Sequence, residues 1–266
     1  LFRGRDPKSK KMRIGEESVL CVDIGNTNVR FGLVSGTRVK DTRTFFTEDL
    51  IANSEEFIRL LPREVKATAF CSVVPAADKI LHDALRAITP NPFRLTHDSC
   101  GNLPIRYPTP ERVGQDRLAN SLAAQKLYGT PAIVIDVGTA ATFDIVSSEG
   151  GYEGGVIAPG PQVFIDCLTN RAALLPRVTL PETPLTEAIG RSTSEAMALG
   201  LVHGFPAMIQ GILDKVMFSL GIIEDGDSEV ILTGGGAFRV GEIATKRDPD
   251  LTLKGIALAF QDQDST

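Results

Sequence analysis

Residues 19–34 read VLCVDIGNTNVRFGLV. Two apolar runs rich in Val, Leu and Ile flank Asp23-Ile24-Gly25-Asn26-Thr27-Asn28. Such runs read as strands, and Gly-Asn-Thr-Asn between them reads as the turn of a hairpin. The carboxylate is the anomaly. Asp23 stands at the end of a run that looks like a buried strand, where a charge is costly unless something binds it.

The figure occurs twice. AIVIDVGTAATFDIV (132–146) repeats the apolar strand, Asp, x, Gly, Thr and second strand, with Asp136 113 residues after Asp23. A strand–turn–strand of this kind exposes backbone N–H groups in a concave nest, which suits phosphate. Gly25 and Gly138 are expected to allow close approach and unusual φ. Thr27 and Thr139 add hydroxyls. Asp23 and Asp136 would repel a bare phosphate, but make sense if they hold a cation or its water shell beside it. Two such hairpins facing each other across a cleft would grip a polyphosphate from both sides. One copy alone could be an ordinary hairpin turn; two copies in the same apolar context favour binding. The sequence has no G-x-x-x-x-G-K-[ST] and no G-x-G-x-x-G after the first strand. TGGGAF (233–238) is a weak glycine signal.

The bulk composition narrows the field. The chain has 266 residues, 42% hydrophobic and 23% charged, which is ordinary for a globular protein of one or two domains. Net charge is −5, and the basic residues form no stripe beyond a short N-terminal tail, so nucleic acid is not an expected partner. No apolar run is expected to span a membrane. LFRGRDPKSKKMRIGEES (1–18) lacks the apolar stretch of a secretory signal and reads as a disordered extension, with Met12 an alternative start. Cys21, Cys71, Cys100 and Cys167 are widely spaced and lack a Cys-x-x-Cys pair, which fits buried thiols in a reducing cytoplasm. His82, His97 and His203 show no metal-ligand spacing and read as structural.

The pattern along the chain predicts a helix over 48–61, a strand over 67–74 stopped by Pro75, and a helix over 76–88. A short strand over 92–97 and an irregular, Pro-rich connection over 101–114 follow. A helix over 116–129 ends in Gly129, and the second hairpin follows it. Beyond the glycine-rich 150–160, the expectation is a helical stretch over 161–175, a Pro-rich loop to about 186 and a long helix from near Ser192. EVILTGGGAF (229–238) closes with strand, glycine turn and helix. The long helix carries Met197, Leu201, Phe205, Met208, Ile212 and Val216 at spacings of three or four, more apolar surface than one side of a small domain needs. Mixed elements with a repeated figure predict an α/β chain of two similar halves.

Six segments in order, DIGNT (23–27), GQDR (114–117), DVGTAAT (136–142), YEGGVIAPG (152–160), RSTSEAMALG (191–200) and VILTGGGA (230–237), resemble type III pantothenate kinases. These belong to the superfamily of actin, chaperone ATPases and acetate and sugar kinases. The resemblance covers nearly everything after residue 18. It implies two ribonuclease-H-like domains, 19–113 and 114–266, with mixed sheets flanked by helices and ATP between them. It also implies phosphorylation of pantothenate to 4′-phosphopantothenate at the start of coenzyme A synthesis. By the same resemblance, Asp23, Ile24, Gly25, Asn26, Thr27, Asn28, Val29 and Arg30 would wrap the ATP phosphates, with Asp23 organising Mg2+ through water. Asp136 would be associated with a monovalent cation, K+ or NH4+, and Thr139 would contact the nucleotide. Gly114, Gln115, Asp116 and Arg117 would bind pantothenate, with Asp116 the catalytic base. Tyr107 would help form the pantothenate pocket, and Thr193 would reach it across a homodimer interface. Two departures stand out: Gln115 where the family usually has Ala, adding bulk near the substrate, and Ala141 where it usually has Thr. Two other classes remain open, another actin-like phosphotransferase acting on a sugar or acetate, and a non-catalytic regulator. The chain lacks the length expected for a sugar kinase's insertions, and the presence of Asp116 speaks against the regulator.

Overall fold

The computed structural model describes residues 18–172, 174–179, 188–222 and 227–263. All but Ser18 of the expected extension over 1–18, with Met12, and part of the Pro-rich loop lie outside the described residues. The first half builds β1 (Val19–Ile24), β2 (Asn28–Ser35), β3 (Arg38–Phe46), α1 (Thr47–Ala52), α2 (Ser54–Leu60), β4 (Ala67–Ser72), α3 (Pro75–Arg86) and β5 (Phe93–Arg94). After α4 (Gln115–Leu127) come β6 (Ala132–Val137), β7 (Ala140–Val146), β8 (Tyr152–Pro159), α5 (Pro161–Arg171), α6 (Thr193–Ser219), β9 (Glu229–Thr233), β10 (Lys246–Arg247) and α7 (Leu251–Gln263). The strands form two five-stranded mixed sheets, ordered β3-β2-β1-β4-β5 and β10-β9-β6-β7-β8. Each sheet is built around a hairpin, β1–β2 or β6–β7, with a parallel neighbour, β4 or β9.

Both hairpin strands are apolar on two faces because both sheets are covered twice. On β1, Leu20, Val22 and Ile24 pack with Leu50, Phe57 and Leu81 of α1, α2 and α3. On β6, Ile133, Ile135 and Val137 pack with Ile165 of α5 and Phe205 and Ile209 of α6. The alternate residues Val19, Cys21, Ala132 and Val134 face one shared core that includes Leu118, Leu122, Leu253 and Ile256. The helices α4 and α7 therefore form a central layer between the sheets. They cross closely: a Cβ on Gly255 would lie 2.0 Å from the carbonyl oxygen of Ala119.

Several elements differ from the sequence-based expectations. The helix expected over 48–61 is two helices, because Asn53 is extended and its side chain caps α2 by accepting from Glu55 N at 3.1 Å. The strand expected over 92–97 is only Phe93–Arg94, and the helix over 161–175 stops at Arg171. After β9 there is a 3-10 turn, Ala237–Arg239, in place of a helix. The edge strand β3 and the helix α7 carry no expectation from the sequence. The expected absence of a membrane-length apolar run also needs correction, since α6 is 27 residues long and apolar enough to span a bilayer. Here one of its faces is buried on the second sheet through Leu201, Phe205, Ile209 and Leu213.

The crossing at Gly255 sets a stability expectation. Gly255→Ala should lower unfolding free energy by about 3 kcal/mol, since the clash is with backbone and can be relieved only by moving a helix. Chemical denaturation of both proteins measures it, and equal midpoints would show that the crossing is not tight.

Candidate active site between the two sheets

Strand parity brings the two aspartates together. Positions 19, 21 and 23 of β1 face the central layer, as do 132, 134 and 136 of β6, so both carboxylates point between the sheets at their strands' C-terminal ends. The loops after them meet: Thr27 Oγ1 and Thr139 Oγ1 lie 2.9 Å apart. A cleft of about 420 Å³ opens here, lined by residues that include Asp23, Thr27, Arg30, Asp116, Asp136 and Thr139. Pro249 and Thr252, at the start of α7, line it too. Both central helices thus begin at the cleft, where free N–H groups and the positive ends of the helix dipoles favour an anion.

The two hairpin loops are similar but not identical. Gly25 N–H donates to Asn28 O and Gly138 N–H to Ala140 O, each at 2.9 Å. The last paired residues are Ile24 and Val29 in one and Val137 and Ala141 in the other, so the second loop is one residue shorter. Neither Gly25 nor Gly138 has the positive φ expected of it. The constrained glycine is Gly234, after β9, with φ +89°; a Cβ there would lie 2.4 Å from Asp136 Oδ1. Ile24 and Val29 are fully buried in the outer core, so only their backbones are available to a ligand. Arg30 lines the cleft while donating to Asp250 Oδ1 at 2.5 Å and to the carbonyl of Pro249, which ties the first hairpin to the start of α7.

Each carboxylate has its own support. Asp23 accepts from the Cys71 thiol at 3.2 Å, its neighbour on β4. Asp136 accepts from Asn120 Nδ2 at 3.0 Å, and Thr252 donates to Asn120 Oδ1 at 2.8 Å. Asp116 sits in the first turn of α4, and its Oδ1 accepts from Arg117 N at 2.8 Å. Although each presents some surface to the cleft, burial raises all three pKa values. Burial, then the charge of Asp116, pushes Asp23 up to about 7. Burial and Asp116 likewise push Asp136 up to about 6. Burial raises Asp116, opposed by the Arg117 N–H bond. Among the described residues no three His, Cys, Asp or Glu side chains converge as a direct metal-binding set. Separate carboxylates that face a common anion-favouring cleft suit cations shared with phosphate oxygens or held through water.

A second polar network adjoins Asp116. Arg117 donates from Nε to Asp144 Oδ1 at 2.6 Å, and its guanidinium lies 5.8 Å from the Tyr152 ring centroid. Tyr152 donates to the same Asp144 oxygen at 3.3 Å. Arg117 Nη2 is buried with no hydrogen-bond partner among the described residues. Tyr107 stands over this group, its ring 6.4 Å from that of Tyr152 and partly exposed. Asp144, fully buried and pushed up to about 7 mainly by that burial, carries no expectation from the sequence. A charged residue between Phe143 and Ile145 in an apolar strand was the available signal. Of the other expected residues, Gly114 and Gln115 precede Asp116 at the start of α4. Thr193 is exposed in the first turn of α6 and is not among the residues lining the cleft. Ala141 is buried in the outer core, so the Thr it replaces would not place a hydroxyl in the cleft from this position.

The type III pantothenate kinase family model matches residues 19–215. A type III pantothenate kinase of Moorella thermoacetica is 34% identical over 257 residues, covering 91% of this chain and 98% of the relative. One of Zymomonas mobilis is 36% identical over 267 residues, covering 93% and 94%. Among solved structures, a Campylobacter jejuni protein assigned to the Baf family of transcriptional activators aligns with TM-score 0.59 over 93% of this chain and 100% of its own. At 19% identity that likeness bears on the fold alone. The α/β fold with two mixed sheets is the actin-like arrangement expected from the resemblance.

The raised carboxylates make stability depend on pH in a definite direction. In the folded state Asp23 and Asp136 titrate near 7 and 6, above an ordinary value of 3.8. Between these limits the folded chain holds more protons than the unfolded one, so stability is greatest below the window and falls as pH rises through it. The ligand-free melting temperature should drop from pH 5 to pH 7.5, and Asp23→Asn should flatten the slope. A melting temperature that rises over this range would contradict the burial of these charges.

Proposed function

The chain belongs to the type III pantothenate kinase family, whose members phosphorylate pantothenate with ATP for coenzyme A synthesis, and we propose which residues perform each part of that reaction. The carrying observation is the convergence of both Asp-ended hairpins and Asp116 on one cleft. ATP lies with its phosphates between the Gly25–Asn28 and Gly138–Ala140 loops, bound by backbone N–H groups, Thr27 and Thr139. Asp23 holds Mg2+ through water, and Asp136 holds a monovalent cation, K+ or NH4+. These cations supply neutralisation of phosphate charge. Pantothenate binds beside Asp116, next to Arg117 and Tyr107. The unpaired Nη2 of Arg117 is a buried donor without an acceptor, and the carboxylate of pantothenate is the anion it suits.

Phosphoryl transfer asks for an in-line alcohol, charge neutralisation and a proton acceptor. Asp23 and Asp136 are committed to cations, which leaves Asp116. Its Oδ1 is held by the Arg117 N–H, and its Oδ2 is free to accept the proton of the attacking hydroxyl. The alcohol oxygen bonds to the γ-phosphorus as the bond to the ADP oxygen breaks. The raised pKa of Asp116 makes it a better proton acceptor than an ordinary carboxylate. Thr193, exposed and away from the cleft, fits a role in which it completes a partner's site across a homodimer. We take 19–113 and 114–266 as the two lobes, working in the cytoplasm.

Asp116→Asn should lower kcat by about 10²–10⁴-fold while ATP binding, measured separately by calorimetry, changes little. Turnover near the wild-type rate would remove Asp116 as base. Replacing potassium by sodium should slow the wild-type enzyme and leave Asp136→Ala unaffected in a coupled ADP-release assay. Equal wild-type rates in both salts would remove the monovalent site.

A further inference from the structure

The start of α4 lacks the usual support. Its N-cap is Gly114, which has no side chain to cap the helix. A Cβ there would lie 2.5 Å from Asp116 Oδ1, because that oxygen folds back over the helix start. Within the turn Asp116 Oδ1 takes the Arg117 N–H, and Gln115 ties the turn to β4, its Oε1 accepting from the backbone N–H of Ser72 at 3.0 Å.

Ser72 ends β4 and is 5% exposed. The next N–H, of Val73, donates to Ile24 O on the β1 side, so that of Ser72 faces the β5 side. Pairing with β5 covers only Ala69 with Phe93 and Phe70 with Arg94, so no ladder acceptor reaches Ser72. The Gln115 amide stands where the missing strand would be. Ser72 is also the register partner of Ile24, the residue just before the Gly25–Asn28 loop. One side chain thus joins the helix carrying Asp116 to the strand pair carrying the first phosphate loop.

We propose that Gln115 is a positioning residue, holding the Asp116 carboxylate in register with the Gly25–Asn28 loop through Ser72, in place of the substrate contact its motif position suggests. This rests on the reading of Asp116 as base. The geometry of a base relative to its phosphoryl acceptor is sensitive to shifts of an ångström, and the Gln115 bond ties the start of this helix to the end of β4.

Gln115→Met keeps the length and removes the acceptor. It should lower kcat about tenfold and leave both KM values within about twofold. Gln115→Glu keeps an acceptor and should recover most of the loss. In an Asp116→Asn background, Gln115→Met should cause no further loss. Should the Met variant not fold, Gln115→Asn, whose shorter side chain cannot reach Ser72, carries the same expectation. A wild-type kcat for Gln115→Met, a rise confined to the pantothenate KM, or an equal loss in the Asp116→Asn background would each overturn the proposal. Asp116→Asn at full turnover would instead overturn the base assignment, and this inference with it.

Discussion

Because Gly255 has no side chain, α7 lies against the backbone of α4 at Ala119, and the two helices form one layer that both sheets share. The rest of the site depends on that layer. Each sheet turns one face of its hairpin strands toward it, and on β1 and β6 the last inward position is an aspartate. Both helices start where those strands end, so carboxylates, helix N-termini and loop N–H groups meet in one place. Beneath them, Thr252 of α7, Asn120 of α4 and Asp136 of β6 are joined by hydrogen bonds, a polar thread through an otherwise apolar middle.

The hairpins could be read from sequence because Asp, Gly, Asn and Thr interrupt long apolar runs, and because the interruption recurs. Parity then placed Asp23 and Asp136 on matching faces. Other parts could not be read. β3 is an edge strand whose Lys40, Asp41 and Arg43 are exposed or nearly so, and it lacks the apolar alternation that marks a strand. α7 buries residues on most sides, so it shows no amphipathic stripe, and Gly255 in its middle looks like a helix breaker. Asp116, Arg117 and Tyr107 were legible through their resemblance to family motifs. The network of Asp144 and Tyr152 that orients Arg117 depends on β7–β8 pairing and was invisible to it. The bond from Gln115 to Ser72 joins segments 43 residues apart, and no local pattern announces it.

The cleft holds three carboxylates whose burial opposes their ionisation, with the charge of Asp116 adding to that opposition at Asp23 and Asp136. A chain selected for stability alone would not gather them. A cost of this kind is characteristic of functional sites. The buried Arg117–Asp144 pair follows the same logic: one guanidinium nitrogen remains unsatisfied while the other side of the ion pair is fully enclosed.

The place of α7 in the chain has a consequence for biosynthesis. The inner face of the first sheet, with Val19, Cys21 and Ala69, is covered in part by Leu251, Leu253 and Ile256. A ribosome delivers those residues more than two hundred positions after β1. Until then α1, α2 and α3 can close the outer face of the first sheet, but α4 can cover only part of its inner face, and the rest stays open to water. Contacts of such long sequence separation are slow to form, and open apolar sheet faces invite association with other chains. The element that shapes the cleft is thus also the one that ends the period in which a nascent chain is vulnerable to aggregation.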